Sequence, residues 1–163
     1  MKFRTRTNEY LDLYTVQHSN VLTELIEKNR YIAKGYNNKG NSSKNLNQNY
    51  MNMSIYLSIK NKCIVKKPIF CFVANESVDQ HISKREFYGF NFKEGDIILH
   101  LQVPLKHCVV YEFNWFDYFD KYSYLQKNII RKKADMNNKR LQCCLPYIKY
   151  EWLLHSEKYS LGR

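Results

Sequence analysis

Leu11-Asp12-Leu13-Tyr14-Thr15-Val16-Gln17, followed at once by Val21, Leu22, Leu25 and Ile26, changes its apolar period in mid-course. Alternation puts Leu11, Leu13 and Thr15 on one side of an extended chain, so the first segment reads as a strand. The second spacing is that of one face of a helix over Val21 to Tyr31, with Ser19 or Asn20 as its cap and Glu24 placed to pair with Lys28. Further along, the continuous apolar run from Pro68 to Val73 suits an interior strand. Ile97, Leu99, Leu101 and Val103 alternate with Ile98, His100 and Gln102 as in a half-buried one, which Pro104 ends. His107 to Phe113 comes closely enough after it to pair with that strand or to turn a corner.

Tyr50, Met53 and Leu57 mark a second helix, and Trp115, Tyr118, Phe119 and Tyr122 mark an aromatic helix face that starts at Asn114 and runs toward Ile129. Between the first two helices, Lys34 to Asn49 is rich in Gly, Asn, Ser and Lys. It offers little apolar surface to offset its ordering entropy and reads as a mobile surface loop. Leu141 to Leu154, with its Cys, Tyr, Trp and Leu, folds back on the core. The expectation is an α+β fold: one compact domain with a mixed or antiparallel bent sheet and three to four helices.

With 14 Tyr, 9 Phe and 2 Trp, much of the core should be aromatic. Lys and Arg outnumber Asp and Glu by 26 to 15, a formal charge of +11. Such a field draws in polyanions, although an AT-rich genome also enriches Lys, Asn, Ile and Tyr. The five cysteines, odd in number and without a C-x-x-C, predict reduced, buried thiols in a cytoplasmic protein. The longest apolar run is far too short to cross a bilayer, so no membrane partner is expected.

The histidines lack the i, i+4 spacing of a zinc protease, and no metal site is expected. The glycines form neither a P-loop nor a dinucleotide fingerprint, and no G-x-S-x-G elbow is present. What remains is a positive stretch from Lys127 to Arg140 that contains Arg131, Lys132, Lys133, Lys139 and Arg140. Tyr122 and Tyr124 lie just before it. Cations for phosphates and rings for bases are what single-stranded nucleic acid requires. These residues point to a small basic inhibitor or adaptor without a cofactor. Its expected partner is an acidic protein surface or a nucleic acid, including a ribonucleoprotein complex.

Several landmarks also carry a resemblance. Leu13-Tyr14-Thr15-Val16-Gln17, Tyr50 and Met53, Pro68-Ile69-Phe70-Cys71-Phe72, and Leu99-x-Leu101-x-Val103-Pro104 with Val109 to Tyr118 are similar to the ordered motifs of an uncharacterised family of bacterial and phage proteins. Its hallmarks are a Trp/Tyr-Thr-x-Gln start and a Pro-x-Trp-x-Trp strand, where this chain has Phe70 and Phe72, and a Trp-His-Tyr segment, where it has Phe116-Asp117-Tyr118. Apart from this likeness, a small, basic chain without catalytic motifs suits a phage-borne inhibitor aimed at a nucleic-acid-bound host defence complex. More remotely the arrangement resembles ADP-ribosyltransferases, with Thr15 standing where that family carries Arg or His. This likeness implies NAD as cofactor, bound by Thr15, Gln17, His18 and Tyr50, and a late residue, Gln142 or Glu151, that orients the ribose for transfer to nucleic acid or protein.

Overall fold

A computed structural model of the chain describes residues 9–34, 44–74, 95–137 and 139–158, with 44–47 described for their backbone alone. The opening segment is strand β1 (Tyr10–His18), and it runs without a linker into helix α1 (Ser19–Lys28). The cap is one residue earlier than the sequence suggests: the His18 ring accepts a hydrogen bond from the Asn20 amide at 3.2 Å. The helix also stops earlier, because Asn29 adopts a left-handed conformation (φ 61°) that ends the helical ladder. Arg30–Tyr31 then becomes a two-residue strand, β2, which pairs with β7 (Ile148–Lys149) in a small sheet of its own. The ion pair between Glu24 and Lys28 forms at 3.9 Å.

The main sheet has six strands in the order β5-β6-β3-β1-β4-β8, and every neighbouring pair is antiparallel. Its members beyond β1 are β3 (Ile69–Val73), β4 (Asp96–Pro104), β5 (Val109–Glu112), β6 (Leu141–Leu145) and β8 (Leu153–Lys158). The fold is therefore α+β with a purely antiparallel sheet. β1 and β4 pair along their full length, Tyr10 with Pro104 through to His18 with Asp96. β1 and β3 pair only at Leu13–Val73 and Tyr14–Phe72. Beyond that point the Thr15 hydroxyl donates to the Phe70 carbonyl at 2.8 Å, and the two strands part around a cleft of about 270 Å³ that Val16, Gln17 and Phe70 help to line.

Strand alternation gives the sheet two faces with different covers. Leu13, Cys71, Leu99, Leu101, Val110 and Cys143 form one core with Val21 and Leu25 of α1, Ile148 and Trp152. The opposite face presents Val109, Tyr111 and Cys144 to Met53 and Leu57 of α2 (Lys44–Asn61) and to Phe119 and Leu125. α2 thus begins inside the stretch expected to be a loop. Residues 35–43 of that stretch lie outside the described residues. Asn49 is buried rather than exposed because its side-chain amide donates to the Phe116 carbonyl at 3.0 Å.

β4 ends in a corner and does not pair with the segment after it. A 3-10 turn, Leu105–His107, leads the chain to β5 at the far edge, beside β6. The aromatic segment is likewise two elements and not one helix: a 3-10 stretch, Phe113–Tyr118, and a short helix α3, Tyr122–Asn128. At the break the carbonyls of Phe119 and Asp120 leave the ladder and accept from the Asn52 side-chain nitrogen at 2.7 and 3.1 Å. Buried carbonyls need such partners, and α2 supplies one.

His107 bonds the Asn61 side chain through Nδ1 at 2.9 Å, with its ring 5.2 Å from that of Trp152. Burial, and then Lys106, Lys149 and Lys60, hold its pKa below the ordinary 6.5. The folded state therefore favours neutral imidazole, whereas the unfolded chain takes up a proton near the ordinary value. Stability is lost as pH falls through about 6.5 toward the lower folded value, and it is retained above. Urea midpoints at pH 7.5 and 5.5 should separate more for the wild type than for His107→Gln.

Candidate nucleic-acid interface

The basic stretch is not the trailing end of a helix. After Asn128 the chain leaves α3, and Ile130 forms a bridge with Val110 on the outer edge of β5, its amide donating to the Val110 carbonyl at 2.8 Å. A 3-10 turn over Lys133–Met136 comes next, and Met136 is buried in the core that holds α1. Arg140 returns on the inner side of β5, where its carbonyl accepts from the Phe113 amide at 3.0 Å and carries the β5–β6 ladder one rung further. Apolar anchors at Ile130 and Met136 thus hold a charged ribbon around an edge that would otherwise present unpaired backbone groups.

Arg131, Lys132, Lys133, Lys139 and Arg140 are all exposed. Lys139 lies 3.8 Å from Glu112, and the Arg140 guanidinium lies over the Phe113 ring at 4.7 Å. Arg131 donates to the Gln126 carbonyl at 3.3 Å, and the Lys133 ammonium donates to the Tyr10 carbonyl at 3.1 Å. Neither these two nor Lys132 has a carboxylate within 4 Å among the described residues. They are exposed and no carboxylate cancels their charge, which is the condition for displacing counterions from a phosphate chain. Tyr124 on α3 is 43% exposed with the Lys121 ammonium 5.6 Å from its ring centre, while Tyr122 is half-buried against Tyr56. Of the two rings, Tyr124 is the more open to a base.

The residues expected to form a nicotinamide site lie in three places. Thr15 is buried on the α1 face of the sheet, where it also accepts from the Gln17 amide at 2.9 Å, and His18 is exposed at the helix cap. Gln142 and Tyr50 lie on the other face. The Gln142 side-chain oxygen accepts from the buried Tyr111 hydroxyl, which also lies 3.4 Å from the Cys144 sulfur. Tyr50 sets its ring against Phe70 at 5.4 Å and Phe116 at 5.3 Å, and burial raises its pKa. Glu151 is exposed beside β7 and pairs with Lys149 at 3.8 Å. Thr15 and Gln17 are brought together, as are Tyr50 and Gln142 within one aromatic cluster, but Glu151 joins neither pair.

All five cysteines are free and four are buried. Burial pushes the thiols of Cys71, Cys143 and Cys144 up, so they are poor nucleophiles. Among the described residues no three His, Cys, Asp or Glu side chains are grouped to hold a metal, and no helix is long and apolar enough to cross a membrane. Comparison of the chain with family models, curated proteins and solved structures finds no match.

Asn49, Asn52 and Tyr111 are the structural polar residues that sequence reasoning missed. The signal was available in part, because Asn49, Asn52 and Tyr56 repeat at helical spacing beside Met53 and Leu57. The amide of Asn49, coming after the Gly, Asn and Ser before it, disguised part of a buried face as a polar loop.

Proposed function

We propose that the protein works by binding rather than by catalysis, as a small adaptor or inhibitor whose ribbon from Arg131 to Arg140 takes the phosphate backbone of a nucleic acid, with Tyr124 beside it to stack on a base. The observation that carries this reading is the group Arg131, Lys132 and Lys133, exposed and without a carboxylate partner among the described residues, on a segment anchored by Met136. A solvated face with no target tends to intersperse charges of both signs, and here the one acidic residue between Lys127 and Arg140 is Asp135. Nucleic acid is favoured over an acidic protein at this place because the three cations stand next to one another without an exposed apolar side chain between them. A nucleic-acid-bound complex of a host defence system would be one such target for a phage-borne inhibitor.

The test is a fluorescence anisotropy titration of a labelled single-stranded oligonucleotide at several salt concentrations. Three phosphate contacts at roughly 0.7 each give a slope of about 2 in the logarithm of affinity against the logarithm of salt. A flat dependence, or no binding at low salt, would set the reading aside.

A further inference from the structure

A groove of about 1080 Å³ lies well apart in sequence from the charged ribbon, between the end of α1, the chain leaving β2, the segment around Ile64, and the turn after β7. Its charges are unbalanced. Glu24 is paired with Lys28 and Glu151 with Lys149 inside the groove, at 3.9 and 3.8 Å. Arg30, Lys34 and Lys66 also line it, all exposed, and none has a carboxylate within 4 Å among the described residues. The Arg30 guanidinium is already oriented, lying over the Tyr147 ring at 4.9 Å, so less side-chain freedom is lost when its planar fork takes a carboxylate.

The rest of the wall is apolar and open. Ile64 is 85% exposed and Ile32 49%, and the half-open Tyr150 lies beside them. Large aliphatic side chains on a rim of cations are poor partners for a nucleic acid, whose phosphates gain nothing from them and whose bases stack on rings. They are good partners for a peptide that alternates acidic and aliphatic side chains, since each isoleucine is covered and each cation neutralised in one act. A second copy of this chain is a poor occupant because each copy carries a formal +11.

We infer that this groove is a docking site for an acidic, aliphatic segment of a partner protein, distinct from the nucleic-acid ribbon. Carboxylates of the segment meet Arg30, Lys34 and Lys66, and its aliphatic side chains cover Ile32 and Ile64. With the ribbon occupied as well, the protein would hold a nucleic acid and an acidic protein at once.

The experiment uses the full chain and a labelled peptide of alternating Glu and Leu, with two controls in which Lys replaces Glu or Ser replaces Leu. Lys66→Glu and Ile64→Ser change exposed side chains and leave the core intact. Each should weaken the Glu/Leu peptide by roughly tenfold, the first through charge and the second through lost apolar cover. Neither variant should alter oligonucleotide binding, and Lys132→Glu should leave peptide binding unchanged. The inference is overturned if the Ser control binds as well as the Glu/Leu peptide, if the two groove variants bind like the wild type, or if an oligonucleotide displaces the peptide. Failure of the ribbon to bind an oligonucleotide would not touch this inference, because the peptide arms do not depend on it.

Discussion

Asn52→Ala should lower the unfolding free energy by about 2–4 kcal/mol, the largest stability effect expected of a single polar side chain here. Asn52 is 4% exposed, and its one side-chain nitrogen serves two carbonyls, those of Phe119 and Asp120, at the point where the aromatic segment stops being helical. The amide is held in that orientation by Gln48, whose side-chain nitrogen donates to the Asn52 oxygen at 2.9 Å. Alanine would leave both carbonyls without this donor, and that of Phe119 is buried under α2. Phe119 would loosen with them, and it is fully buried against Tyr111 at a ring separation of 5.1 Å. At this chain length the loss corresponds to a fall in melting temperature of roughly 5–10 °C. Asn49→Ala, which removes a single bond to the Phe116 carbonyl, should cost less than half as much. Equal melting of Asn52→Ala and wild type would mean that α2 does not hold the 119–121 break.

The second large effect is on binding. Charge reversal at both Lys132 and Lys133 should weaken a single-stranded oligonucleotide by at least about tenfold near physiological salt and lower the salt slope by about 1.4, since each lost phosphate contact removes roughly 0.7. The two residues are exposed, and Lys132 makes no contact on which the fold depends. Lys133 does give one bond to the Tyr10 carbonyl at the start of β1, and that bond is exposed, so the variant should melt close to the wild type. Circular dichroism melts therefore separate lost binding from lost folding. Retained affinity with an unchanged slope would return these charges to compositional bias.

Much of the fold was legible because strand alternation survives without context. The parity of Leu11, Leu13 and Thr15 and that of Ile97, Leu99, Leu101 and Val103 both proved to be the face of one core, and these two strands became the longest ladder in the sheet. What could not be read locally was the order of the strands. β5 sits at the opposite edge from β4 although only the 3-10 turn and one residue separate them, because β6 and not β4 offers it a free edge. The boundaries that slipped did so for identifiable reasons. Asn29 could enter a left-handed turn that a periodicity count does not see, and Asn49 and Asn52 behaved as core residues once carbonyls were placed against them.

The sites divided in the same way. The charged ribbon is contiguous in sequence and was visible there, although its anchoring by Ile130 and Met136 was not. The groove was invisible because Arg30, Lys34, Lys66 and Lys149 come from distant segments and meet only when β2 pairs with β7. Thr15 and Gln17, expected at a nicotinamide site with His18 and Tyr50, bond one another where β1 parts from β3, whereas Tyr50 lies on the other face of the sheet.

The binding account is tested most directly by mapping the contact. A single-stranded oligonucleotide carrying photoreactive thiouridine, irradiated with the protein and digested for mass spectrometry, should attach to Tyr124 or to peptides from Arg131 to Arg140, and the attachment should fade as salt rises. Cross-links that fall instead on the groove peptides around Lys34 and Lys66, or that persist unchanged at high salt, would contradict it.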